Sequence, residues 1–178
     1  MQCLNNFQYH IRKDHHHDGP VVPGKNGFHF CEHLNGVLGF YFEEAYFARV
    51  EATGVLEKLD CDTGHGPIWA ASDLRVMELL NGGYTCPDGT ELTFCGGKLQ
   101  SYFGKPAIQD SRGNKWWFER GEKTEMYDAI QDSTFFYNKS QFHNSSGPAV
   151  ITPQYEAWYN HGVLENVVDP DSPSVVYS

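Results

Sequence analysis

The chain has 178 residues, 15% of them aromatic, and a formal charge of −10 at pH 7. That length suits one domain, or two small ones, with a real core. The acidity argues against a general nucleic-acid binder, which needs a basic face to displace phosphate counterions; it serves solubility, contact with a basic partner or mimicry of nucleic acid.

Five cysteines without a CxxC motif give no zinc ribbon and no thioredoxin-type pair, and reduced thiols are expected. No segment reaches roughly 18 apolar residues, so no membrane-spanning helix is expected. The opening, Met1 to Asp14, lacks the apolar stretch of a secretory signal.

Residues 1–30 read as extended. Phe7 to Ile11 alternates, Asp18-Gly19-Pro20 turns, and Val21-Val22 starts another short strand. Lys25-Asn26-Gly27 turns into a strand over Phe28 to Cys31. Between 32 and 46, Leu34, Leu38, Tyr41 and Ala45 keep helical spacing and predict a short helix, against Gly36 and Gly39. Residues 47–56 alternate as a strand, with Ala48, Val50 and Ala52 inward and Arg49 and Glu51 outward. Ser72 with Asp73 reads as the N-cap of a helix striped by Leu74, Met77 and Leu80, and Gly82-Gly83 as its stop. The predicted boundary falls there, between an N-terminal α+β unit (1–82) and a C-terminal region (84–178).

That second region repeats itself. Thr93-Phe94, Trp117-Phe118, Phe136-Tyr137 and Trp158-Tyr159 each precede a turn, at positions 97, 121, 140 and 162. A small residue and a β-branched one follow each turn: Ala107-Ile108, Ala129-Ile130, Ala149-Val150 and Ser174-Val175. A period of about 20 residues signals an array of hairpins, none able to bury its apolar face alone. Phe94, Phe118, Tyr137 and Tyr159 fall at one equivalent position and are expected to share a core. Val175-Val176-Tyr177 is expected to close the array.

Few motifs carry chemistry. His29, Cys31 and His33 would share one face of a strand as metal ligands, or His29 is satisfied by a backbone group. Without a fourth ligand at diagnostic spacing, no metal site is assigned there or to His15-His16-His17. Paired carboxylates stand at Glu43-Glu44 and at Glu119, Glu122 and Glu125, and the second set, on a hairpin tip, reads as a solvated edge rather than an acid–base pair. Gly96-Gly97-Lys98 lacks the frame of a phosphate loop. The aromatic runs Trp116-Trp117-Phe118 and Phe135-Phe136-Tyr137 must each turn at least one ring away from the core. With Trp158 and Tyr159, they are the candidate binding residues.

Two stretches carry family resemblances. Residues 5–80, through Gly27-Phe28-His29-Phe30-Cys31 and Arg49-Val50-Glu51-Ala52-Thr53-Gly54, resemble an uncharacterised family of small phage and prophage proteins. The same stretch is similar to the core of ADP-ribosyltransferase-like domains, for which His10 or Arg12, the 28–31 strand and Glu125 are the nearest match to a catalytic set. Residues 93–178, through Gly147-Pro148-Ala149-Val150-Ile151 and Glu156-Ala157-Trp158-Tyr159-Asn160-His161-Gly162, are similar to MORN-like repeats, strings of β-hairpins that serve as interaction platforms.

The expected fold class is α+β, mostly β: an antiparallel sheet of consecutive hairpins after a small N-terminal unit. The expected function is a phage-type protein-interaction or virion-associated module, without cofactor. Its partner would be a phage structural or host protein, with self-association as an option and no role for membrane or nucleic acid. The expected location is host cytoplasm or virion. Alternatives are an ADP-ribosyltransferase-like enzyme using the repeats as adaptor, or a counter-defence protein that binds a host immune effector or a nucleotide.

Overall fold

The computed structural model describes residues 8–39, 45–60 and 66–169. The Glu43-Glu44 pair, the Ser174-Val175 unit and the expected closing strand at 175–177 lie outside those residues. Two compact units result: Met1–Asn81 with Gly96–Lys98, and Gly82–Cys95 with Leu99–Ser178. The fold is mostly β. Antiparallel sheets of consecutive hairpins dominate, with one short helix among the described residues.

In the first unit, β1 (Asp14–His16), β2 (Phe28–Phe30), α1 (Leu34–Leu38), β3 (Ala48–Leu59) and β4 (Ile68–Leu79) follow in order. β4 is the central strand. It pairs with β1 and β2 along one edge and with β3 along the other. Phe28, Leu74 and Val76 form its buried cluster, with Tyr9, Phe30, Ala48 and Val50 packed against them.

β4 corrects the helix expected from Ser72 to Leu80. Leu74 and Val76, two residues apart, are both buried, while Met77 of the expected stripe is half-buried. Ladder bonds on both edges outweigh a weak helical pattern. The N-cap signal at Ser72 is real chemistry put to another use. Its Oγ accepts the N–H of Val55 at 3.0 Å and donates to Asp73 Oδ2 at 2.6 Å, where the register of β3 shifts between Thr53 and Leu56. The hydroxyl satisfies a β-bulge rather than a helix end.

The hairpin array, an 11-stranded sheet, comprises β5 (Gly82–Thr85), β6 (Glu91–Cys95), β7 (Lys98–Leu99), β8 (Ile108–Gln109), β9 (Lys115–Glu119), β10 (Glu122–Asp128), β11 (Ser133–Asn138), β12 (Gln141–Phe142), β13 (Val150–Ile151), β14 (Glu156–Asn160) and β15 (Val163–Val168). The register carries one row of neighbours across nine strands: Tyr84, Leu92, Ile108, Trp116, Met126, Phe135, Val150, Ala157 and Val167. Leu92, Ile108, Val150 and Ala157 in that row are at most 3% exposed. Because side chains alternate along a strand, Phe94, Phe118, Tyr137 and Tyr159 share its face. Phe94 and Phe118 are buried, whereas Tyr137 and Tyr159 are half-buried and pack on Phe142 at centroid distances of 5.2 and 5.3 Å.

Four hairpin tips are two-residue turns with both φ positive: Gly96-Gly97, Arg120-Gly121, Lys139-Ser140 and His161-Gly162. That geometry matches the right-handed twist of the flanking strands. The structural repeat is nevertheless two hairpins long. In β6–β7 and β11–β12 the return strand has two residues, and the chain then loops back as β8 or β13. In β9–β10 and β14–β15 the return strand is long, and the register shifts near its start. β10 therefore pairs directly with β11, and the expected equivalence of Ala129-Ile130 to Ala107-Ile108 fails. Ala107 and Ile108 are buried, while Ile130 lies in the connecting turn at 72% exposure.

Candidate functional site

Strand alternation divides the eight candidate aromatics between two faces. Trp116, Phe118, Phe135, Tyr137 and Tyr159 lie on the face of the buried row; Trp117, Phe136 and Trp158 lie on the opposite face. Phe118 is 1% exposed and belongs to the core, so it cannot touch a partner. The other seven are half-buried. Phe135 stacks on Phe142 at 6.1 Å, which ties the buried-row aromatics to each other.

On the opposite face, Glu125 lies directly across from Trp117 on one side and Phe136 on the other. Of the carboxylates Glu119, Glu122 and Glu125, the first two stand opposite each other near the hairpin tip and are exposed. Glu125 alone is half-buried, and that burial pushes its carboxyl above the usual glutamate range. Pairing of β10 with β11 stops at Glu125 and Phe136. Beyond it, toward the tips, a groove of about 600 Å³ is lined by Arg120, Lys123, Phe136, Lys139, His143 and Asn144, among others.

The sharpest feature was missed by sequence reasoning. Between Leu99 and β8 the chain forms a tight turn, Tyr102 to Lys105, closed by the Lys105 N–H donating to the Tyr102 carbonyl at 2.9 Å. Phe103 sits in it at φ +52° and is fully exposed. A bulky residue in the left-handed region is a conformational outlier, and a fully exposed ring gains nothing from burial. Both sides of the turn are nonetheless anchored. The Trp117 indole N–H donates to the Gly104 carbonyl at 3.0 Å. On the other side, Ser101 donates its N–H to the Phe118 carbonyl at 2.9 Å, and its Oγ accepts the Phe118 N–H at 3.0 Å. The phenyl ring is thus held out on a fixed turn. The dipeptide Phe103-Gly104, following Tyr102 in a polar stretch, was the available signal, because Gly after a turn residue marks positive φ.

In the first unit the histidine motifs serve the fold. His29 Nε2 accepts the N–H of Gly24 at 2.8 Å, the backbone role weighed against a metal set. His15 is buried, accepts the His10 N–H at 3.1 Å, and packs edge-on to Tyr9 and Phe28. His16 Nδ1 lies 2.6 Å from Asp73 Oδ1. No group of three or more His, Cys, Asp or Glu suited to a metal ion occurs among the described residues. Of the residues matched to a transferase set, His10 and Arg12 fall in the first unit and Glu125 in the second.

Residues 1–68 match the family model described as a domain of unknown function, DUF7666. No curated protein matches the chain. No solved structure matches it.

Proposed function

We propose that the chain is a non-enzymatic protein-interaction module, and that its hairpin array meets the partner through the face bearing Trp117, Phe136 and the Phe103 turn. The observation that carries this reading is Phe103 itself. A fully exposed ring at positive φ is costly twice over, and such strain is retained where a function uses it. Anchoring by Trp117 removes most of the turn's freedom before binding, so a partner would not have to supply that ordering. Exposed aromatics on rigid supports are the residues that dominate interface energies. The partner class remains the one read from sequence, a phage structural protein or a host protein.

The test is site-specific photo-crosslinking in cells that produce the protein. A benzophenone analogue at position 103 should yield one dominant protein adduct, whose identity separates a virion partner from a host one. The same group at Ile130, an equally exposed position in a different turn, should not. Trp117→Ala, which frees the turn, should reduce the adduct severalfold. Equal labelling from both positions would overturn the reading.

A further inference from the structure

We propose that Glu125, flanked across the strands by Trp117 and Phe136, seats an arginine side chain of the partner; this rests on the interaction reading above. Three observations converge on it. First, register: Glu125 is the direct cross-strand neighbour of both rings. Such neighbours hold their Cβ atoms about 4.5–5.5 Å apart. Tyr127, two residues along β10, projects from the same face. The carboxylate therefore lies among three aromatic side chains.

Second, Glu125 has neither a hydrogen bond nor an ion pair among the described residues. The nearest lysines along these strands make no ion pair with it, although Lys115, the register partner of Tyr127, shares its face. Lys115 Nζ lies 5.9 Å from the Tyr127 ring centroid, and Lys123, whose register partner is Phe118 on the other face, lies 4.1 Å from that of Tyr137. A half-buried carboxylate without a partner gains more from an incoming cation than a solvated one does.

Third, the surroundings select among cations. A guanidinium can bond a carboxylate through two parallel N–H groups while stacking its plane on flanking rings. An ammonium group offers charge without that planar match. The chain's charge of −10 attracts basic partners over distance. Phe103, on the turn bonded to Trp117, adds an apolar anchor beside the charged seat. An aromatic anchor next to a desolvated arginine contact is a composition that protein interfaces favour.

Titration of the ¹⁵N-labelled full chain with acetyl-Gly-Arg-Gly-amide tests the seat directly. The Trp117 indole and Glu125 amide signals should shift together. The citrulline tripeptide, neutral but of the same shape, should bind roughly tenfold more weakly or worse, as should the lysine tripeptide. Glu125→Gln should weaken arginine binding by roughly the same factor, with the unliganded Trp117 indole signal unchanged as evidence of an intact fold. Equal binding by citrulline or lysine, undiminished binding by Glu125→Gln, absence of any shift, or shifts centred on Glu51 and Glu57 would each overturn the proposal. Failure here with a position-103 adduct intact removes the arginine seat alone. Loss of the adduct with arginine-specific shifts intact removes the protein-partner reading alone.

Discussion

Gln100 and His143, 43 positions apart, hold the same post in two successive turns of the hairpin array. Gln100 Oε1 accepts the N–H of Arg120 at 2.8 Å, and His143 Nδ1 accepts the N–H of His161 at 3.4 Å. The flanking backbone bonds are also repeated. Thr93 and Phe136 carbonyls accept from Gln100 and His143, and Leu99 and Phe142 carbonyls accept from Gly121 and Gly162. Each of these side chains ties the first residue of the next tip to the strand before it. Removing the acceptor as Gln100→Ala should cost about 1 kcal/mol locally. Amide exchange at Arg120 should then quicken roughly fivefold. His143→Leu should act likewise at His161, whereas His143→Gln should restore protection. Unchanged exchange in both deletions would show that the backbone bonds suffice.

One tip departs from the others. Lys139-Ser140 keeps both φ positive, at +49° and +61°, but places serine where the other three tips have glycine. A non-glycine residue in the left-handed region costs roughly 1–2 kcal/mol. Ser140→Gly should therefore stabilise the array by up to about 1 kcal/mol, since glycine gives part of the gain back as unfolded-chain entropy. For a unit of this size that is a rise of roughly 4–8 °C in the melting temperature. A fall in melting temperature would mean that the serine side chain outweighs the strain.

The array was legible from sequence because its signals are local. A Gly or polar pair at the tip and an aromatic two residues before it lie within five residues of each other. The alternation of two hairpin kinds was not, because it depends on whether the return strand runs on or loops out. That choice is made by long-range pairing, of β10 with β11 directly and of β13 between β11 and β14. Ser72 failed for a related reason: a hydroxyl that caps a helix is the same group that satisfies a bulge. Trp117 and Phe136 were legible as outward-facing candidates because three aromatics in a row cannot all face one core. Phe118, the third of its run, is the one the core took. Glu125 gave no sign of its unusual position, since register alone sets it between two rings.

The bulge at Gly54 makes a contrast that separates space from conformation. Gly54 has φ +75°, and a Cβ there would overlap Asp73 Oδ2 and Ser72 Oγ. Gly24 has φ +78° with open space around its Cβ position. Gly24→Ala should cost only the left-handed penalty, about 1–2 kcal/mol. Gly54→Ala adds loss of the Ser72–Val55 bond and should cost roughly 3 kcal/mol. Urea unfolding of the two variants, followed by amide signals of the first unit, compares them. Equal costs would show that Ser72 and Asp73 move aside freely.

Stability against pH should carry the mark of His16 and Asp73. The hydrogen bond and charge of Asp73 raise the His16 pKa above 6.5. Its contribution is therefore complete below 6.5 and is lost as pH rises through the folded value. Asp73 is held below 3.8, first by the Ser72 hydroxyl and then by His16. Its contribution is complete above 3.8 and is lost as pH falls through the folded value. The pair thus acts fully between about 4 and 6.5 and fades on either side. Both groups are solvent-accessible, so the effect should be small and should shrink with added salt. His16→Gln should remove the decline on the alkaline side while leaving much of the acid side, because the Ser72 bond to Asp73 persists. Asp73→Asn should remove the acid side and most of the alkaline side, the remainder coming from Asp18, whose Oδ1 lies 3.3 Å from His16 Nε2. Melting temperatures from pH 3 to 9 in low and high salt test this; a wild-type slope between pH 6 and 8 that His16→Gln fails to reduce would assign that slope to other histidines.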